Sequence, residues 1–296
     1  MNVVSKFDPW GSPLCTCPSK YSLQPYTGCS HRCLYCYATS YIGYKPSRPK
    51  KDLIQRLLKE LPRLDKSKPI NMSTSSDPYP PEEAELKLTR RVLEILCSRG
   101  FKVLITTKSD LVVRDVDILK KCNAAVMITI TTLDEHLAKV LEPGAPPPHR
   151  RLRAIDILTA NNVPVGVRID PIIPFINDDM SMIKELISVV KQKGALTVTT
   201  STYKAKPDNF RRIISKFPEL HRKLYSLYFE CGDRIGSYLY LPAGIRQAII
   251  QKVREEALKA GLAFASCREG LSTLNTAPSC DGSHLIKVKV SIDNLL

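Results

Sequence analysis

The sequence predicts an α/β chain in which parallel strands alternate with helices, followed by a mainly helical C-terminal extension. Three observations carry this reading. Short β-branched runs recur between amphipathic stretches from Lys20 to Thr202. Their spacing leaves room for the helical crossovers that parallel strands require. After Thr202 the strand-like runs stop and helical periodicity takes over. Six such units suit a partial (β/α)6 barrel, and an open doubly wound sheet is the alternative. Either architecture binds its ligand at the C-terminal ends of the strands.

Taken in order, residues 1–20 form a Pro- and Cys-containing segment with no helical period, and Ser22–Pro25 supplies a candidate first strand. Pro69–Thr74 reads as a strand. A helix near Ala84–Ser98 follows, with Leu86, Val92, Leu93 and Leu96 on one side and Gly100 as its stop. Lys102–Thr107 is a strand, Val116–Cys122 a short helix, and Ala125–Thr131 a further strand. A Pro-rich loop, Glu142–Pro148, leads into a helix near His149–Asn161 and a strand at Pro164–Ile169. Asp178 and Asp179 offer an N-cap for Met182–Lys193, and Ala195–Thr200 closes the series. Residues 21–202 are thus the expected barrel and 203–296 the extension. Its strongest element is an amphipathic helix near Pro242–Ala260 carrying Ile245, Ile249, Val253 and Leu258.

The 296 residues suffice for one large α/β domain with an appendage. No run approaches the roughly 18 apolar residues of a membrane span, and Met1–Lys6 lacks the apolar core of a signal peptide. A cytoplasmic protein without membrane attachment is expected. The formal net charge is +15, which attracts polyanions and makes nucleic acid a candidate partner. Of ten cysteines, five fall between Cys15 and Cys36. In a reducing compartment such clustering points to metal ligands rather than disulfides.

The stretch Tyr26–Ala38 spaces its cysteines C-x3-C-x2-C at Cys29, Cys33 and Cys36. Three thiolates on one short loop can hold three irons of a 4Fe–4S cube and leave the fourth open. That open iron can take the amino and carboxylate groups of S-adenosylmethionine and pass an electron to its sulfonium, giving a 5′-deoxyadenosyl radical. Zinc would be one ligand short, and His31 between the first two cysteines would strain such a site.

The loop, with Tyr35 before its third cysteine, resembles that of the radical S-adenosylmethionine superfamily. Further stretches resemble its spore photoproduct lyase-like group, also called DNA repair photolyase-like: Ser76-Asp77-Pro78-Tyr79, Leu88-Thr89-Arg90-Arg91, Ile105–Ser109, Thr131–Glu135, Leu141-Glu142-Pro143 and Pro171–Pro174. The resemblance spans about Tyr21–Thr200 and implies a TIM-type partial (β/α)6 barrel with the cluster loop after its first strand. It implies a 4Fe–4S cluster and S-adenosylmethionine as cofactors and a ferredoxin- or flavodoxin-type reductant as electron donor. Of the positions it matches, Ser76 and Asp77 would contact the methionyl amine, although Asp-Pro is a turn signal by itself. Lys108 would grip the carboxylate or ribose. Thr129 and Thr131 are candidates for the ribose hydroxyls, or plain strand residues. Arg168 and Asp170 suit a ligand contact or an ion pair equally. Tyr35 and Tyr37 would take part in a radical relay or shield the cluster. The lyases that repair thymine dimers use a hydrogen-donating cysteine near the second strand; Asn71–Asp77 contains none, so the resemblance does not extend to that repair.

Cys15 and Cys17 precede the motif, and Cys267 and Cys280 lie in polar C-terminal stretches. Together they could close a second 4Fe–4S cluster or a zinc site, or be unrelated thiols; recruitment of Cys231 is a further variant. Cys97 and Cys122 read as buried helix positions. The expected function is a monomeric radical enzyme acting on nucleic acid, with RNA modification ahead of DNA repair. A radical enzyme on a peptide or small metabolite, including sulfur insertion at an auxiliary cluster, and a non-catalytic metal-containing nucleic-acid-binding module are the competing readings.

Overall fold

Seven strands run parallel in the order in which they occur along the chain. The computed structural model describes residues 2–7 and 12–287. Its main sheet comprises β1 (Val4–Lys6), β2 (Tyr21–Leu23), β3 (Ile70–Met72), β4 (Val103–Thr107), β5 (Ala124–Thr129), β6 (Val165–Ile172), β7 (Thr197–Thr202) and β8 (Ala263–Ser266), side by side in that sequence. Only β1 is antiparallel to its neighbour. A doubly wound sheet reverses its strand order at a switch point; this one does not, so right-handed crossovers place the helices on one face. The result is the curved wall of a partial TIM-type barrel.

The crossovers carry α1 (Leu53–Glu60), α2 (Leu88–Ser98), α3 (Val116–Leu119), α4 (Glu135–Leu141), α5 (Pro148–Ala160), α6 (Met180–Gln192), α7 (Pro207–Ile214) and α8 (Ala243–Lys259). Strand side chains alternate between faces. Val103, Ile105, Val126, Ile128, Val165 and Val167 face outward and join Val92, Leu96, Ile155, Leu158, Ile187 and Val190 of the helices in the main core. Each such burial contributes roughly 1.5–3 kcal/mol. Leu104, Ala125 and Met127 face inward and form a separate small cluster with Leu285 of the C-terminal tail. The fit is close: a Cβ on Gly166 or Gly282 would lie 2.5 or 2.3 Å from the Met127 sulfur. Towards the C-terminal strand ends the inward residues turn polar, with Thr106, Thr129, Arg168 and Ser201 lining a cavity.

Several expectations need correction. The sheet has seven parallel strands rather than six, because β8 comes from the extension and pairs with β7. Four residues, Ala263–Ser266, with no β-branched side chain gave no strand signal. The helix expected at Ala84–Ser98 breaks at Lys87, whose φ is +49°. Leu86 is therefore exposed, while Val92, Leu93 and Leu96 are buried. The buried Glu83 carboxylate caps α2 by accepting from the Thr89 and Arg90 amides at 2.8 and 3.2 Å. In α8 the buried face is Arg246, Ile250, Val253 and Ala257, and Ile245 and Leu258 are exposed. The Arg246 guanidinium sets that rotation through bonds to the Leu241 and Glu269 carbonyls and to Asp233. Asp179 alone caps α6; Asp178 instead accepts from the Phe175 amide. Cys97, near the end of α2, and Cys122, after α3, are joined in a disulfide rather than buried as free thiols. No helix among the described residues is long and apolar enough to cross a membrane.

Candidate active site

The cysteine loop is shaped locally and held from a distance. It leaves a two-stranded ribbon in which Tyr26–Thr27 pairs with Arg48–Pro49. Gly28 turns at φ +72°, where a Cβ would meet the Pro46 carbonyl oxygen at 2.3 Å, so only glycine fits. The Cys29 amide donates to the Lys45 carbonyl at 2.9 Å, and the Cys36 amide to the Cys33 carbonyl at 3.2 Å. From the end of α4, the Leu141 carbonyl accepts from the Leu34 amide at 2.8 Å, and the Gly144 amide donates to the His31 carbonyl at 3.0 Å. α7 grips the other side: Asn209 Nδ2 donates to the Tyr35 carbonyl at 3.2 Å, and Arg212 donates to the Leu34 and Cys36 carbonyls, each at 3.0 Å.

Cys29, Cys33 and Cys36 line one end of a cavity of about 250 Å3 at the C-terminal strand ends. Burial pushes the Cys29 thiol up to about 11 and raises Cys33 and Cys36, with Lys108 opposing the rise at the latter two. Ligation of a metal would displace the protons so held. Ser76, Asp77, Lys108, Thr129, Arg168, Asp170 and Tyr37 line the same cavity.

Asp77 and Ser76 are engaged inside the protein. Asp77 accepts from the Thr107 hydroxyl at 2.6 Å and from the Tyr79 and Lys108 amides at 2.9 and 2.8 Å, and lies 3.3 Å from His31 Nδ1. Burial disfavours its charge, but His31 and these donors outweigh it and hold the carboxyl at about 2. Asp77 thereby locks the β4 end to the cysteine loop. The Ser76 hydroxyl donates to the Tyr26 carbonyl at 2.8 Å. The Lys108 ammonium lies 5.5 Å from the Tyr35 ring centre; burial disfavours its charge, yet Cys33 and Glu142 hold it above its usual range.

Tyr35, expected in a radical relay or as a shield of the cluster, lines the cavity and donates its hydroxyl to buried Glu142. Glu142 also accepts from the Thr131 hydroxyl at 3.0 Å and pairs with buried Arg151 at 2.5 Å. Thr131 lies beyond the end of β5 and faces this network rather than the cavity. Tyr37 does line the cavity, edge-on to Tyr238 with ring centres 5.9 Å apart. The Arg268 guanidinium sits 4.7 Å from the Tyr238 ring centre and 5.7 Å from that of Tyr37, and Lys206 lies 4.3 Å from Tyr238. Arg168 lines the cavity while pairing with Asp170 at 2.5 Å and donating to the Cys280 carbonyl at 3.3 Å, so the ion pair expected of it is present. Arg268, Lys204 and Asn71 line the cavity without having been expected there. A polar residue two past the expected strand start was the available signal for Asn71; nothing local marked the other two. Cys15, Cys17 and Cys267 line it as well.

The residues present fit an iron–sulfur cluster and a polar cofactor. Three thiols, Cys33 buried and Cys29 and Cys36 half-buried, stand on one loop at the cavity, as suits a cube whose thiolates bind separate irons. Beside them, the buried His31 Nε2 and Asn71 Oδ1 have no partner inside the protein, one donor or acceptor on each side of the cavity.

The model of the Radical SAM superfamily matches residues 23–190, more than half of the chain. An uncharacterized protein of Methanocaldococcus jannaschii is 37% identical over 166 residues, 54% of this chain and 63% of that protein. This chain thus spans less than two thirds of that relative's length. An uncharacterized protein of Mycobacterium tuberculosis is 26% identical over 251 residues, 80% of this chain and 73% of the other. Among solved structures, a spore photoproduct lyase mutant with bound AdoMet and dinucleoside spore photoproduct superimposes with a TM-score of 0.67 at 18% identity, covering 86% of this chain and 78% of that one. Streptococcus suis SuiB bound to precursor peptide SuiA gives 0.56 at 14% identity, over 83% and 48%. Both likenesses are of fold.

Proposed function

The chain belongs to the radical S-adenosylmethionine superfamily, and from that premise we propose an enzyme that reductively cleaves S-adenosylmethionine to abstract hydrogen from nucleic acid, with RNA modification as its leading activity. The observation that supports it is the meeting of Cys29, Cys33 and Cys36 with Lys108, Asn71 and Thr129 around one cavity. The bound cluster supplies the electron that breaks the C5′–S bond of S-adenosylmethionine. Cys29, Cys33 and Cys36 would hold three of its irons, and the Asp77–His31 pair keeps their loop against the barrel wall. Lys108 would attract the cofactor's carboxylate, and Asn71 Oδ1 would accept from one of its donors.

Three features favour a nucleic-acid substrate. The charge of +15 draws a polyanion to the surface. The Tyr37–Tyr238–Arg268–Lys206 cluster combines flat rings with cations at the cavity, as stacked bases and phosphates need. The likeness to a lyase whose structure holds a dinucleoside points the same way. Asn71–Asp77 lacks a cysteine to return hydrogen, so RNA is favoured over thymine dimers.

Anaerobically reconstituted protein should be brown, and dithionite should bleach it while 5′-deoxyadenosine is released. Single-stranded RNA should bind with an affinity that falls steeply with salt and should raise that release. A colourless, zinc-only protein overturns the cofactor reading; RNA binding indifferent to salt overturns the substrate.

A further inference from the structure

Four cysteines outside the cluster loop are gathered where the two ends of the described chain meet. Cys15 and Cys17 precede β2, Cys267 follows β8 directly, and Cys280 opens the tail segment that packs on Met127. The two late cysteines are fastened to the barrel wall by their backbones. The Cys267 amide donates to the Thr200 carbonyl at 2.9 Å, and the Cys280 carbonyl accepts from the Thr199 hydroxyl at 3.0 Å. The Cys17 and Cys280 sulfurs lie 3.5 Å apart. Cys15 lies near enough to Cys17, and Cys267 to Cys280, for each pair to influence one another's protonation. All four are free thiols, whereas Cys97 and Cys122 are joined.

Their surroundings suit thiolates. Lys20, buried and paired with Asp281, stands beside Cys17, and Arg168, paired with Asp170, stands beside Cys267. Four thiolates on a dication carry a net charge of about −2, and Lys20 and Arg168, already paired with Asp281 and Asp170, moderate it rather than cancel it. A tetrahedral centre with bonds of about 2.3 Å has ligand edges of about 3.8 Å, close to the Cys17–Cys280 separation. Among the described residues no three ligating side chains gather around one point. Cys15 and Cys267 therefore have to swing in about χ1, each the single rotatable bond of its side chain.

We propose that Cys15, Cys17, Cys267 and Cys280 form a second, tetrathiolate metal centre that clips the N-terminal segment to the C-terminal tail beside the active-site cavity. It takes a thiophilic metal, as one zinc ion or a second iron–sulfur cluster. It stands apart from the chemistry proposed above, because none of its ligands belongs to the first cluster.

The test uses the full chain with Cys29, Cys33 and Cys36 all replaced by alanine, reconstituted anaerobically with iron, sulfide and zinc, and analysed for metal. One zinc or about four irons per chain is expected, and the ratio tells which centre is present. Adding Cys267→Ala should reduce that metal at least tenfold and speed proteolysis within residues 268–287, whereas adding Cys231→Ala, at an exposed position, should change neither. Should the triple variant fail to fold by circular dichroism, the same loss of one zinc or about four irons is expected on comparing Cys267→Ala with the wild type. A folded triple variant without metal, or metal content indifferent to Cys267→Ala, overturns the proposal. Deoxyadenosine release by the protein with its loop cysteines intact reads the first cluster separately.

Discussion

The molecule gathers its cysteines in two ways. Cys29, Cys33 and Cys36 come from one loop, and what is remote is only the hold on them: Leu141 and Gly144 on one side, Asn209 and Arg212 on the other. Cys15, Cys17, Cys267 and Cys280 are themselves remote, and nothing brings them together until β8 has joined β7. A ligand set within eight residues survives any rearrangement of the fold that spares its loop. A set drawn from both ends records the completed topology.

The largest effect should separate the two sets outright. Alanine at any one of Cys29, Cys33 or Cys36 should drop 5′-deoxyadenosine release to background, since a cube on two protein ligands is not retained. Iron analysis and a timed chromatographic assay measure it, and residual activity above a few per cent would break the distinction.

Next comes the hold from α4. Glu142 and Arg151 are both nearly fully buried, so Arg151→Met leaves an unpaired carboxylate and should cost about 3–5 kcal/mol in chemical unfolding. Although burial disfavours its charge, Arg151 and Lys108 keep Glu142 below its ordinary 4.5. The stability this pair contributes is therefore full above pH 4.5 and is lost as pH falls through the lowered value. Glu142→Gln should flatten that acid limb; an unchanged limb would move the effect to other carboxylates.

Lys108→Ala should weaken S-adenosylmethionine binding by roughly 1.5–3 kcal/mol, some ten- to a hundredfold, with the iron content unchanged. Equilibrium binding to the reconstituted protein checks this, and an unaltered dissociation constant would return Lys108 to a role at Tyr35 and Cys33. The smallest effect belongs to α7. Arg212→Lys loses the fork that spans two loop carbonyls and should cost about 1–2 kcal/mol, seen as faster iron loss to a chelator.

This contrast also explains what could be read beforehand. The triad and the alternation of strands and helices are local patterns, and both were legible. So was the placement of Lys108 and Thr129, which follows from their position at strand ends. The hydrogen bond from Tyr35 to Glu142 was hidden, because its partner lies more than a hundred residues away. The bonds that Asp77 accepts from Thr107 and Lys108, some thirty residues on, were equally hidden. Arg212 sits in a helix and Arg268 in a loop, and neither stretch says anything in sequence of the cysteine loop that Arg212 holds or the cavity that Arg268 lines. In each case the missing information was a contact across the fold, not a property of the residue.

That β8 and the tail complete the cavity wall has a consequence for how the protein is made. Cys36 emerges from the ribosome more than two hundred residues ahead of Cys267. At about 5–20 residues per second this is a delay of roughly 10–50 s. Throughout that interval the nascent loop lacks α7, β8 and the segment around Asp281. A cluster inserted then would stand open to oxygen and water, so assembly after release is the protected order of events.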